Sequence, residues 1–346
     1  MYVTRIGSLV KEAPGWGARV LVGKNGVTFL RHREALGDTL MLTPLARALK
    51  KHRPDIRISI ATRSPELFAN NPHFEEVRDW HLFRDKGTVR LNYRLEQARH
   101  PHYVEEMWMD LWDFLTEKKI VSGARPELEG RHPELFLTPD EKKRGLELLG
   151  VKGKRTKPIL ALISGGKLKP THNREWGYAN YVALAEAFAP HADLVQVSGE
   201  KPIVLPSTGK PVKTIKAEIR DLAGALSECD AFVTQEGGLM HVARAVNTPS
   251  IVIFGGTLLP EHSGYDRMTN LFNKPECSPC RALRHNCMHL KCMVPITPKL
   301  VAEHVLKLMA ERGFFLPASI AASAGEKWTP PEFVDLKLLE QELAKK

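Results

Sequence analysis

The chain has 346 residues, room for one large domain or two ordinary ones, and its 43% hydrophobic and 26% charged residues are those of a globular protein. Lys and Arg outnumber Asp and Glu by 50 to 40, and the resulting +10 is spread over runs such as 50–57, 90–99 and 141–157. Such a surface favours anionic partners: phosphates, acidic glycans, an anionic membrane face or nucleic acid. The basic runs carry no interleaved aromatics and no nucleic-acid motif, so no nucleic-acid partner is expected. The opening residues have no apolar core of signal-peptide length, and no run approaches the roughly eighteen apolar residues of a membrane span. The expectation is a cytoplasmic protein whose membrane contact is peripheral at most.

In chain order, residues 1–26 read as a glycine-punctuated hairpin added ahead of strand 27–32 (VTFLRH). Asp38 then follows Gly37 in front of helix 43–51 (TPLARALKK), for which Thr43 is the expected cap and Pro44 the first helical residue. Asp38 has two readings, a helix cap or a base aimed into a cleft, and the Thr43-Pro44 start signal counts against the first. Arg31 and Arg33 flank the same turn and are candidates to meet an acidic acceptor. Residues 57–62 alternate like a strand, SPELFANNP is a short helix, and 103–119 is a helix whose Met107, Trp108, Leu111, Trp112 and Leu115 belong to a core. A capped helix ending in glycine covers 137–153.

After the loop 153–158 the alternation is regular. Strands 159–164, 193–199, 231–235 and 250–255 are separated by helices 178–189, 218–229 and 238–246, and a helix with the Thr297-Pro298 start signal covers 297–313. Buried apolar strands between amphipathic helices imply parallel sheets covered on both faces. The reading is an α/β chain of two doubly wound Rossmann-like domains, 1–155 and 156–315, facing a central cleft. The charged tail 316–346 is expected to pack back toward the first domain.

The chemistry gathers at strand ends of the second half. FVTQEGGLMHVARAV runs from strand through Glu236, Gly237 and Gly238 into a helix, with His241 in its first turn. Glycines there let backbone amides approach a ligand, and free helix N–H groups attract anions. His241 can donate to a phosphate oxygen, and Glu236 can accept from a ribose. A second loop, ISGGKLKPTHNREW, offers Ser164, Gly165, Gly166, Lys167 and Arg174, a hydroxyl, amides and cations suited to a diphosphate. It lacks P-loop spacing. A third strand exits at SGEK and brings Glu200 to the same edge, where open α/β sheets bind nucleotides.

Four of the five cysteines, Cys277, Cys280, Cys287 and Cys292, form C-x2-C-x6-C-x4-C. The first pair has chelating spacing, and four thiolates suit a structural zinc or iron. Cys229, ending a helix, reads as core.

LGDTLMLTPLARALKKHRPDIRISIAT resembles the N-terminal signature of glycosyltransferase family 9, the ADP-heptose:lipopolysaccharide heptosyltransferases. EGGLMHVARAVNTPSIVIFGGT resembles that family's donor-site signature, and CSPCRALRHNCMHLKCMVPITPKLVAEHV its C-terminal stretch. The resemblance covers roughly residues 27–310. It implies a GT-B fold with donor in the second domain and acceptor in the first. It implies inverting transfer of a sugar, ADP-heptose being the expected donor, to a hydroxyl of lipopolysaccharide core or of a protein, with no cofactor for catalysis. By position, Asp38 matches the family's proposed base. Gly237, Gly238 and His241 match the diphosphate turn, Ser164, Gly165 and Arg174 the phosphate contacts, and Glu200, more loosely, a residue near the nucleotide base. The cysteine set resembles that of an iron-holding branch that glycosylates autotransporter proteins. One departure stands out: the family's Asp-Thr-Gly is Glu236-Gly237-Gly238 here. The competing readings are a nucleotide-sugar epimerase of the same fold and a non-catalytic anion binder.

Overall fold

The computed structural model describes residues 18–23, 26–31, 35–79, 88–91, 100–151, 153–164, 174–199, 201–280 and 290–326. The first half comprises β1 (Arg19–Gly23), β2 (Gly26–Arg31), α1 (Leu36–Leu40), α2 (Thr43–His52), β3 (Ile58–Thr62), β4 (Glu76–Asp79), β5 (Thr88–Arg90), α3 (Tyr103–Glu117) and α4 (Pro139–Leu149). The second comprises β6 (Ile159–Ile163), α5 (Tyr178–Phe188), β7 (Asp193–Ser198), β8 (Lys213–Thr214), α6 (Ile219–Ser227), β9 (Ala231–Gln235), α7 (Gly238–Ala245), β10 (Ser250–Phe254), α8 (Pro260–Ser263), β11 (Thr269–Phe272), α9 (Pro298–Glu311) and α10 (Ser319–Glu326).

Two sheets result. The second, in the order β11-β10-β9-β6-β7-β8, is parallel throughout. Its central strands β6, β9 and β10 are buried at every residue, as an apolar run covered on both faces requires. The order reverses between β6 and β9, so the crevice of an open α/β sheet opens at their carboxyl ends. The first sheet, β4-β3-β2-β1-β5, departs from the expected parallel pattern at β1, which is antiparallel to both β2 and β5. Gly23 pairs with Gly26, and so short a connection cannot make the crossover of a dozen or more residues that a parallel neighbour needs. Thus residues 19–23 of the expected hairpin segment are an integral strand; residues 1–17 and 24–25 lie outside the described residues.

The two halves are tied together by α4 and α6. Thr138 and Glu141 form a reciprocal capping box at the start of α4. A side chain at Gly145 would meet backbone of Gly224 at 2.3 Å, and one at Gly224 would meet the Glu141 carbonyl at 2.4 Å, so the two helices cross at a pair of glycines. Buried Arg220 of α6 then donates from Nε to Glu141 Oε1 at 2.5 Å, and to the carbonyls of Glu66 at 2.9 Å and Phe136 at 2.6 Å. Glu66 belongs to the 3-10 turn Pro65–Phe68 of the first half, so one guanidinium spans both.

Two local expectations are corrected. Thr43 does not cap α2, which starts after Leu42; its hydroxyl donates to Leu40 O at 2.8 Å and accepts from Glu134 N at 2.9 Å. The described part of the tail, α10, packs on α9 and α5 of the second half rather than toward the first, because Ile320, Ala321 and Ala324 make one apolar face. Residues 327–346 lie outside the described residues.

Arg220→Ala leaves Glu141 and two carbonyls without their shared donor, and removing one partner of a buried pair costs about 3–5 kcal/mol. The expected result is a loss of that order in chemical denaturation, with the secondary structure of the remaining folded protein unchanged by circular dichroism.

Candidate active site

The site lies where the carboxyl end of β2 meets that of β9. Arg31 ends β2, and α1 begins five residues later. The cap position of α1 is Ala35, with no side-chain bond, so Asp38 is a first-turn residue and not a cap. Its Oδ2 instead accepts from Arg31 at 2.6 Å. Arg31, expected to meet the acceptor, is only 1% exposed and is turned to this internal partner, whereas Asp38 keeps 22% of its side chain open.

Across the seam, Gln235 ends β9 and Gly237 occupies the cap position of α7 with no side-chain cap bond. The first amides of α7 are therefore not spent on a side chain of their own turn. The two helix starts touch. A side chain at Gly37 would stand 2.3 Å from Cδ2 and 2.6 Å from Nε2 of His241, and one at Gly238 would stand 3.3 Å from Leu36 Cβ. Glycine on each side is what lets the turns meet.

His241 is buried, its Nδ1 is 2.6 Å from the Tyr265 hydroxyl, and the two rings meet edge to face with centroids 5.4 Å apart. Burial pushes the imidazole down to about 4, with the Asp38 carboxylate opposing the shift. Glu236 is 6% exposed and lies 3.1 Å from Arg174 Nε. Burial raises its carboxyl above the ordinary range, the Arg174 charge pulls it back, and Asp38 pushes it further up. Asp38 is the residue after Gly37, so the approach of Gly37 to His241 sets its carboxylate beside the α7 turn.

Ser164, just past β6, is on the same edge. Its hydroxyl accepts from Gln196 Nε2 at 3.0 Å and fills the space beside Gly199, where a Cβ would sit 1.9 Å from it. The structure thus brings Ser164, Glu236, Gly237, Gly238 and His241 to the carboxyl ends of the adjacent strands β6 and β9, with Arg174 against Glu236 and the α1 turn that carries Asp38 packed against α7 from the other sheet. Gly165, Gly166, Lys167, Glu200 and Arg33 lie outside the described residues.

Of the cysteines, Cys280 and Cys292 converge on Gly256: a Cβ there would be 2.8 Å from one sulfur and 3.3 Å from the other. Cys277 is exposed, and Cys287 lies outside the described residues. Among the described residues no three His, Cys, Asp or Glu side chains gather as a metal set. Cys229 is fully buried, as expected of core. Also among the described residues, no helix is long and apolar enough to cross a membrane.

Residues 214–291, which contain the α7 turn and three of the clustered cysteines, match the family model of glycosyltransferase family 9 (heptosyltransferase). The chain is related to glycosyltransferase family 9. Its enzyme class is that of a glycosyltransferase. Lipooligosaccharide heptosyltransferase 2 of Campylobacter jejuni is 24% identical over 316 residues, covering 79% of this chain and 96% of that protein. The structure of Escherichia coli ADP-heptose LPS heptosyltransferase II superposes with a TM-score of 0.60 at 15% identity over 82% of this chain and 98% of the other. TibC of enterotoxigenic E. coli, an iron-containing dodecameric glycosyltransferase, does so with 0.56 at 15% identity over 86% and 81%. The fold shared with these glycosyltransferase structures is the expected GT-B arrangement.

Sequence reasoning missed Tyr265, His102 and Gln196. Tyr265 sits in a loop with no motif around it, and its role appears only when α7 and that loop fold together. His102 caps α3: Nδ1 accepts from Val104 N at 3.2 Å, so its proton is on Nε2, which donates to Gly264 O at 3.0 Å. Burial holds this ring neutral, down to about 3.

Both rings bind protons more weakly folded than unfolded. The unfolded chain takes them up first as pH falls below the ordinary histidine value of about 6.5, so stability drops from there toward pH 4. Glu236, raised by burial, acts in the opposite sense. Replacing His102 by Asn, also a good cap, is expected to flatten the melting-temperature profile between pH 6.5 and 4, by up to about 1.4 kcal/mol per pH unit.

Proposed function

We propose that this enzyme transfers a heptose from a nucleotide-diphosphate donor, ADP-heptose, to a hydroxyl of an acidic glycan of the lipopolysaccharide-core kind, with inversion at the sugar carbon. The observation that carries the reading is the meeting of Gly37 and His241, which sets a carboxylate of one lobe against the open helix start of the other. The names of the matched proteins, lipooligosaccharide and ADP-heptose LPS heptosyltransferases, support the donor and acceptor class. The positive charge of the chain, +10, suits a phosphorylated acceptor.

In this mechanism Asp38 takes the proton of the attacking hydroxyl. The oxygen then bonds the sugar carbon from the face opposite the leaving diphosphate, and that carbon–oxygen bond breaks toward the nucleotide. Arg31 holds the carboxylate in one orientation. Charge developing on the diphosphate falls to the amides of Gly238 and its neighbours, to the His241 N–H, to Arg174 and to Ser164. Lys167 and the Gly165-Gly166 amides belong to the same diphosphate loop, and Glu200 to the nucleotide. Glu236 accepts from the nucleotide's sugar hydroxyls while Arg174 compensates its charge.

The cysteines act apart from this chemistry. Two sulfurs over one glycine fit a thiolate-bound structural metal, which Cys280 and Cys292 would share with Cys277 and Cys287. Metal analysis of the purified chain is expected to give iron or zinc near one per chain, reduced in Cys280→Ala while the pH profile of turnover keeps its shape. A metal-free, fully active wild type would remove this part.

Asp38→Asn is expected to lower turnover by about 10²–10⁴, read as ADP released from ADP-heptose with deacylated lipopolysaccharide core, while donor affinity by calorimetry stays within about threefold. Unchanged turnover would dismiss Asp38 as the base. Conversion of ADP-heptose to another sugar nucleotide without acceptor would support an epimerase. Steeply salt-dependent binding to nucleic acid or anionic vesicles with no affinity for ADP-heptose would support a non-catalytic binder.

A further inference from the structure

Tyr265 lies in the loop after α8, outside every motif of the chain. Three contacts fix that loop. His102 of α3 donates to the carbonyl of Gly264, at 3.0 Å. Asn270 donates to the carbonyl of Tyr265 itself at 3.2 Å, and Arg244 of α7 donates to that of Asp266 at 3.1 Å. The His102 and Tyr265 rings also lie with centroids 6.1 Å apart. The phenol is thereby carried to His241 Nδ1 at 2.6 Å, in a buried setting.

The direction of that bond follows from counting hydrogens. A phenol has one O–H, and the neutral imidazole has one N–H and one bare nitrogen. If Nδ1–H donated to the phenol, the buried phenolic hydrogen would need a second acceptor, and His241 is the hydroxyl's one partner in the described structure. If the phenol donates, the hydroxyl and Nδ1 are satisfied by a single bond, and the imidazole proton stands on Nε2, where it is left for a ligand. Burying an unpaired hydroxyl costs about 1–3 kcal/mol, which decides for the second arrangement. The Nε2 edge of the ring is the one that faces Gly37 across the seam.

We propose that Tyr265 is a positioning residue that fixes His241 as the Nε2–H tautomer, so that a neutral histidine presents a hydrogen-bond donor, and never a bare nitrogen, to the leaving diphosphate. A bare nitrogen there would face phosphate oxygens lone pair to lone pair, and a hydrogen-bond partner on the other ring nitrogen is what prevents it. The inference deepens the transferase reading and rests on it for the role of His241. His102 of the first lobe holds the Gly264 carbonyl of the same loop, a contact separate from the phenol–imidazole bond that sets the tautomer.

The test uses the full chain labelled with 15N-histidine, His241 being assigned by its loss in His241→Asn. Wild type is expected to show a protonated Nε2 and an unprotonated Nδ1 at pH 7. In Tyr265→Phe the two tautomers should mix, and kcat for ADP release from ADP-heptose with lipopolysaccharide core should fall by roughly 10–100-fold with donor KM within about threefold. His102→Asn, which leaves the phenol in place, should retain the single tautomer. A proton on Nδ1 in wild type, or a single tautomer with full kcat in Tyr265→Phe, overturns the proposal. If ADP-heptose is not turned over at all, the transferase reading fails, and the nitrogen shifts alone still decide whether Tyr265 fixes the ring.

Discussion

Everything at the site depends on one close approach, that of Gly37 to the ring of His241. No side chain fits at position 37 without displacing the imidazole, and none fits easily at 238 without meeting Leu36. Two glycines on opposite lobes thus play one role, each removing the atom that would hold the lobes apart. The approach brings the electropositive start of α7 to the turn that carries Asp38. A carboxylate on that side of the seam is stabilised by what it faces, and an anionic leaving group arriving between the lobes would be stabilised by the same amides.

Two carboxylates face this seam, and each has its own arginine. Asp38 is paired with Arg31, and Glu236 with Arg174. The asymmetry is in exposure. Glu236 is sealed at 6%, and both burial and the neighbouring Asp38 charge favour its neutral form, against Arg174. Asp38 stays partly open, with one oxygen fixed by Arg31. A base must reach the proton it removes, so the open, oriented carboxylate is the better placed of the two. The sealed one is suited to holding a ligand's hydroxyls or a cation's charge. The Glu236 side chain reaches an arginine supplied by the neighbouring loop.

Much of this was legible because periodicity and strand ends are local properties. The apolar strands of the second half, the capped helix within 137–153 and the Thr297 cap follow from residue patterns a few positions long, and each is found in place. The glycine turn at 236–238 and the aspartate after β2 are equally local. What escaped is non-local. β1 joins the first sheet in the opposite sense because its connection to β2 is short, and alternation of apolar residues carries no sign of strand direction. Arg31 reads as an acceptor contact from its place beside Asp38; at the end of a buried strand it is 1% exposed and donates to that carboxylate inside the protein. Thr43 carried a cap's sequence but was claimed by Glu134, more than ninety residues away. α10 reads as alanine-rich and unremarkable until its three buried residues find the groove of α5 and α9.

The same distinction explains why the second shell of the site was invisible. Gln196 lies in mid-strand, yet its amide bonds Ser164 Oγ, Ser198 O and Lys201 O and accepts from Ile203 N, so one side chain fixes the hydroxyl at the end of β6 and the path of the chain leaving β7. His102 does the corresponding work between lobes, capping α3 with one nitrogen and holding the Gly264 carbonyl with the other. Both residues are buried polar groups whose every hydrogen bond is directional, and a buried polar group survives only where its partners are already in position. Such residues therefore report where the fold is most exactingly specified. Here they lie behind Ser164 and behind the Tyr265 loop, one at the carboxyl end of β6 and one at the seam, the two places where the proposed transfer would demand fixed geometry.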